Sequence, residues 1–145
     1  MASNLKNIFK SRVLSALCDC DEAGDDIRLF LLMTNTTYDT DVDTDNTSGF
    51  TLDEMDGTNY ARKTCDNQTV TTDDANDRAE FDFDDTVFTS LGNGTRQVQG
   101  AGIHEFITAD SSSFPIAWIE FAATVNPGGS TFTIAYSAEG VVQLA

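Results

Sequence analysis

Apolar and polar positions alternate most cleanly near the end of the chain. Phe132, Ile134 and Tyr136 are separated by Thr133 and Ala135, the period of two that marks a half-buried strand. The apolar run from Phe114 through Trp118 to Phe121 predicts a strand before it. The segment after Gly140 predicts a short one behind it, with Asn126-Pro-Gly-Gly129 as the loop between. Segment 27–33 is apolar apart from Arg28, too short for a surface helix, and predicts a central strand buried on both faces. Segments 68–72 and 79–83 flank a turn-rich Asp73-Asp-Ala-Asn-Asp77 and predict a hairpin, with Phe81 and Phe83 pointing one way and Glu80, Asp82 and Asp84 the other. A short strand follows at 86–90, with Phe88 and Leu91 as core candidates. Gly92-Asn-Gly94 then predicts a tight turn, and 96–107 a strand with a bulge or bend near Gly100 and Gly102.

Helical spacing is confined to the start. Leu5, Ile8, Phe9, Val13, Ala16 and Leu17 form one stripe over 3–18, with Lys6, Lys10 and Arg12 facing away and Ser3 or Asn4 as the cap. Residues 34–57 carry no period and predict a long acidic loop or exposed arm, unusual inside a compact domain. Together these elements predict a mainly β fold over 1–145. It is an antiparallel β-sandwich or small barrel of about seven to nine strands, with an N-terminal amphipathic helix or arm at 1–20 and the β-domain at 27–145.

Length and composition suit one domain with a real core: 145 residues, 40% hydrophobic, ten Phe. The formal charge of −16 comes from 24 acidic residues, 18 of them Asp, against 8 basic ones. Such a surface repels nucleic acid and anionic lipid, which excludes both as expected partners, and it suits a salty, strongly screening medium. The first residues lack the apolar h-region of a signal peptide, and no apolar run reaches the length of a bilayer span. Synthesis in a reducing cytoplasm is therefore expected, with Cys18, Cys20 and Cys65 as free thiols. Cys18-x-Cys20 has the look of a metal motif, but a distant third cysteine and no nearby histidine make it a poor zinc set, so no metal ligand is assigned.

The remaining chemistry is thin. Asp39, Asp41, Asp43 and Asp45 form an acidic ladder. Counted from Asp43, Asp45, Thr47 and Glu54 fall at calcium-loop positions, but Ser48 stands where the loop needs glycine and no helices flank it. His104 is the single histidine and has no nucleophile motif beside it, so it reads as structural. Asp73-Asp74 and Asp84-Asp85 are adjacent carboxylates of a kind that arises by chance in an Asp-rich chain. Gly100-x-Gly102 lacks the third glycine of a dinucleotide loop, since Glu105 occupies its place. Asn35, Asn46, Asn67 and Asn93 open Asn-x-Ser/Thr triplets that reflect Thr-rich loops. No catalytic or cofactor-binding residue is assigned, and an enzyme is not expected.

The order of motifs resembles small structural virion proteins of tailed phages and related tailed viruses, of the capsid decoration or cement kind. The likeness rests on the 67–85 segment from Asn67-Gln-Thr-Val to Phe83-Asp-Asp85. It rests also on Pro115-Ile-Ala-Trp-Ile-Glu-Phe121, on Gly129-Ser-Thr-Phe-Thr-Ile134 and on Gly140-Val141. It covers 27–145 well and the N-terminal helix loosely, and it departs from that pattern at 95–110 and at the three cysteines. The resemblance implies a non-enzymatic subunit of the virion that lies on the outer surface of the major capsid lattice. The major capsid protein or other virion proteins would be its partners, and a homo-oligomer such as a trimer its state. A tail, turret or fibre-base protein is the alternative, and a carbohydrate-binding β-domain a second. Trp118 would serve either as an interface anchor or, the preferred reading, in the core. The helix and the 34–57 loop are the expected contact elements.

Overall fold

The computed structural model describes residues 4–21 and 24–145, and these form ten strands and one α-helix. In chain order they are β1 (Asn4–Leu5), α1 (Asn7–Leu14), β2 (Ile27–Met33), β3 (Lys63–Thr64), β4 (Thr69–Asp73), β5 (Arg78–Asp82), β6 (Thr86–Leu91), β7 (Val98–Glu105), β8 (Phe114–Val125), β9 (Ser130–Ile134) and β10 (Val142–Leu144). Every pairing is antiparallel. A five-stranded sheet runs β1-β8-β7-β2-β3, a three-stranded sheet runs β10-β5-β4, and β6 pairs with β9. The architecture is mainly β and sandwich-like, and the described strands do not close into a barrel. The strand number exceeds the sequence expectation because β1 and β3 are only two residues long, below the reach of any periodicity.

β2 is the organising strand. Ile27, Leu29, Leu31 and Met33 enter the main core beside Phe81, Phe83, Phe88, Leu91, Ile103 and Ile116. Phe30 and Leu32, on the opposite face, join Tyr38, Phe50 and Trp118 in a second core. Two-sided burial explains why this segment reads as a continuous apolar run. The two glycines of β7 make room for the second core. A Cβ at Gly100 would overlap the Trp118 ring, and one at Gly102 the Phe30 ring. They act as seats for aromatic rings. Bulges do lie nearby, between Val98 and Gly100 and between Ile103 and His104.

The 34–57 segment is not an exposed arm. Tyr38 and Thr47 are fully buried and Phe50 and Met55 nearly so, so the segment forms the lid of the second core. Met33 N donates to Asp53 O at 2.8 Å and Met55 N to Leu31 O at 2.9 Å, which adds the end of the loop to the free edge of β2. A loop with this many backbone hydrogen bonds and apolar anchors has satisfied its polar groups internally.

The helix is shorter than its stripe suggested. Ser3 lies outside the described residues. Asn4 and Leu5 belong to β1, paired with Trp118 and Ala117. α1 ends at Leu14, and Ala16 takes a positive φ of 53° while Leu17 N donates to Arg12 O. Past that turn Leu17 leaves the stripe, and Phe9 is the buried residue of the helix. The basic face also dissolves: Lys6 is buried, Arg12 is ion-paired to Glu105, and Lys10 is exposed. Gly92 and Gly94 do not make a tight turn with left-handed glycines. They pack against Thr58 and against Met33 and Asp56, and the positive-φ glycines are Gly128, Gly129 and Gly140.

Candidate functional site

Three features of the surface and its supports stand out. The first is a clasp between the N-terminal segment and the acidic ladder. β1 and the start of α1 run past residues 38–43, so Asn4 Nδ2 donates to Asp39 O at 2.6 Å and Asn7 N to Val42 O at 2.9 Å. Between them the Lys6 ammonium donates to Tyr38 O, and to Asp41 O at 2.6 Å. It sits 4.2 Å from the centroid of the Tyr38 ring. A buried ammonium needs such carbonyls and a ring face, because desolvation alone would expel it. Burial holds its pKa down at about 8, against the opposing pull of Asp41 and Asp39.

Two of the four ladder carboxylates, Asp41 and Asp43, are engaged by local contacts. Asp41 accepts from Asp43 N, Thr44 N and Thr44 Oγ1, and the Thr44 hydroxyl leads the causes that hold its carboxyl below the usual range. Asp43 Oδ1 accepts from Asn7 Nδ2 at 2.7 Å. Glu54, the twelfth position of the would-be calcium loop, binds Arg62 and Tyr60 instead. The geometry therefore does not assemble the calcium loop that the spacing allowed.

The second feature is a network around Arg62. Its guanidinium bridges Glu54 and Asp110 with four hydrogen bonds of 2.5 to 2.9 Å and lies over the Phe30 ring. Tyr60 Oη donates to Glu54 Oε1 at 2.7 Å and accepts from Leu31 N. The network ties the 34–57 lid to the 106–113 loop. His104 lies inside the protein, its Nδ1 3.1 Å from Thr47 Oγ1 and its ring 4.9 Å from that of Phe30. Burial, then the charge of Arg62, holds it near pKa 4, so it is neutral at pH 7. It packs as a structural residue. All five arginines, Arg12, Arg28, Arg62, Arg78 and Arg96, form ion pairs of this kind within the chain.

The third feature is apolar. A groove of about 310 Å³ lies between α1 with its following turn and the face of the β10-β5-β4 sheet. Phe9 and Val13 wall one side, and Val70, Phe81, Val142 and Leu144 the other. The register aligns Val70, Phe81 and Val142 in one row across the three strands, which is why their side chains share a face. Val70 is 52% exposed. Leu14 and Leu17, at the end of the helix and just beyond it, are 89% and 59% exposed.

The other sequence candidates are scattered. Asp84 pairs with Asn67, while Asp85 accepts from Tyr136 N, so the two carboxylates serve different partners. Asp73 caps its own turn through Ala75 N and Asn76. Among the described residues, the carboxyl groups whose pKa moves (Asp41, Asp53, Asp56, Asp73 and Asp110) all move down. Proton donation by a carboxylic acid wants the opposite shift. Trp118 is 3% exposed and belongs to the second core. Asn35, Asn67 and Asn93 are exposed, with Asn93 Oδ1 accepting from Gly128 N, and Asn46 is half-buried. Cys18 lies 3.6 Å from Cys20 with no disulfide between them, and Cys65 is buried.

Sequence reasoning did not find Lys6, Tyr38 or Arg62. Lys6 fitted the polar side of a helix, and the other two sit in segments without periodicity. Among the described residues no helix is long and apolar enough to cross a membrane. Comparison with protein-family models, with curated proteins and with solved structures finds no match for this chain.

Proposed function

We propose that the chain is a non-enzymatic structural protein of a virion, a capsid decoration or cement protein that binds the outer surface of the major capsid lattice. The observation that carries the reading is the pairing of a tightly stapled body with an outward aliphatic patch. Leu14 and Leu17 are exposed beside the groove walled by Phe9, Val13 and Val70. Val70, which lines the groove, and Leu14 and Leu17, adjacent in sequence to its lining residues Val13 and Cys18, are exposed apolar side chains that suit protein contact, and many copies on a lattice let each contact be modest. The stapled lid and ion pairs suit a rigid subunit that gains by holding its shape outside the cell. The acidic surface fits the same role, since it disfavours binding to nucleic acid.

The large hydrophobic side chains exposed among the described residues are Leu14, Leu17, Val70, Val87 and Ile107, all aliphatic. An aromatic platform for sugar rings would read differently, so the carbohydrate-binding alternative gains no support from this surface. The tail, turret or fibre-base alternative uses the same body. Copy number per particle, measured by quantitative mass spectrometry against the major capsid protein, separates the two. A ratio near one copy, or a fixed fraction of a copy, per capsid subunit supports decoration. A handful of copies per particle supports the tail or vertex. Absence from purified particles contradicts both.

A further inference from the structure

We infer that Cys18, Asp25 and Glu105 form a binding site for one divalent metal ion of zinc-like character, with Cys20, beside Cys18 but outside the clustered triad, turning in as the fourth donor. The inference stands apart from the virion reading. Cys18-x-Cys20 alone supplies two donors, and the fold brings two more. A thiolate or carboxylate atom from each of Cys18, Asp25 and Glu105 lies within 4.8 Å of the other two. Cys20 Sγ is 3.6 Å from Cys18 Sγ. Two thiolates on one tetrahedral ion with bonds of about 2.3 Å stand roughly 3.8 Å apart, so the pair is already at ligand spacing. The ring of donors joins three parts of the chain: the turn after α1, the loop before β2, and the end of β7.

The backbone holds this arrangement. The positive φ at Ala16 ends the helix and turns the chain toward β7. Asp25 Oδ2 accepts from Asp19 N at 2.8 Å, and Asp25 N donates to Asp19 O at 2.8 Å, which holds Asp25 beside Asp19. Glu105 is 1% exposed; Arg12 Nε donates to its Oε2 at 3.0 Å and Arg12 Nη2 to its Oε1 at 2.6 Å. The fork fixes the carboxylate, and a metal would bind through a lone pair that the fork leaves open. Four anionic donors with Arg12 alongside leave a divalent complex with one net negative charge, a modest burden for a half-buried site.

The donor set selects the ion. Thiolates disfavour calcium and magnesium, which take oxygen ligands, and two sulfurs with two oxygens suit tetrahedral zinc or its substitutes. A thiol must lose its proton to ligate, so metal binding releases protons and strengthens as pH rises.

Cobalt(II) is the probe. The full chain, stripped of metal with a chelator and kept reduced, is titrated with Co²⁺ while absorbance is followed. The expected result is saturation at one equivalent, a thiolate-to-cobalt charge-transfer band in the near ultraviolet, tetrahedral visible bands, and displacement by Zn²⁺. Cys18→Ser weakens the charge-transfer band, Cys18→Ser with Cys20→Ser abolishes it, Cys65→Ser leaves it unchanged, and Asp25→Asn weakens affinity by about tenfold or more. Absence of the band in the unaltered chain overturns the inference, as does a band that survives the double cysteine variant. A Cys18–Cys20 disulfide that forms in air without any metal uptake by the reduced chain overturns it too. Circular dichroism checks folding of each variant. If the double cysteine variant does not fold, Asp25→Asn decides, and cobalt affinity unchanged in that variant overturns the site.

Discussion

The Lys6 ammonium lies 4.2 Å from the centre of the Tyr38 ring and donates a hydrogen bond to the carbonyl oxygen of the same residue. One side chain from the N-terminal segment thus holds both the ring and the backbone of the lid. Tyr38 in turn donates its hydroxyl to Ile103 O at 2.6 Å, so the chain of contacts runs from Lys6, between β1 and α1, through the lid into β7. Lys6→Ala is expected to cost about 2–4 kcal/mol, since it opens a cavity and leaves two carbonyls without a donor. Urea unfolding measures the loss, and hydrogen exchange should rise over residues 38–43 in particular. An unchanged midpoint would show that the clasp contributes nothing.

Lys6 also sets a pH signature. Its folded pKa is about 8, below the ordinary 10.5, so between those values the unfolded chain binds more protons than the folded one. Stability attributable to Lys6 is then flat below pH 8 and rises with pH up to about 10.5, by up to about 3 kcal/mol. The quantity to measure is the difference between the unaltered chain and Lys6→Met across pH 7 to 11. A flat difference would contradict the burial of the ammonium.

Arg62→Met removes the shared partner of Glu54 and Asp110 and brings two uncompensated carboxylates together under the lid. The expected cost is about 2–3 kcal/mol, below that of a fully buried pair because these groups are partly exposed. Asp110 is held below the usual carboxylate range chiefly by its Arg62 hydrogen bond. Its contribution is present above the unfolded carboxylate value and fades as pH falls through the folded one. Thermal melts from pH 7 to 2 should show a shallower acid limb in the variant than in the unaltered chain. Equal limbs would remove Arg62 from the account.

Gly100→Ala drives a methyl into the Trp118 ring, and the backbone there is paired on both sides. A loss of about 1–3 kcal/mol is expected, with a red shift in the emission of the chain's single tryptophan. Stability and emission that both match the unaltered chain would place Trp118 outside the second core.

Added calcium tests the acidic ladder. With Asp41 and Asp43 engaged locally and Glu54 held by Arg62, millimolar Ca²⁺ at matched ionic strength should leave the melting temperature of metal-free protein unchanged. A calcium-specific rise would mean that the ladder rearranges to bind it.

The strands legible from sequence are those whose burial repeats. β2, the β4–β5 hairpin and β6 to β10 follow from alternation, an apolar run or the turns that bound them, because each residue's environment is set by its neighbours on the same strand. The lid escaped notice because Tyr38, Thr47, Phe50 and Met55 are buried one at a time, each by a different distant partner. The helix was overdrawn at both ends because Leu5 and Leu17 fit its period while serving a strand and a turn. The cluster at Cys18 shows the same limit: the cysteine announces itself, but only the fold brings Asp25 and Glu105 to it.

The exposed helix end bears the functional claim. Leu14 and Leu17 contribute little to the core, so Leu14→Glu with Leu17→Glu should leave the melting temperature nearly unchanged while weakening attachment to the shell. The most direct test is a reconstruction of purified particles at a resolution that traces this chain. The account predicts copies repeated across the outer capsid surface, with the Leu14 and Val70 side of each turned toward a neighbouring subunit. A chain confined to the tail or a vertex, or missing from the particle, would contradict it.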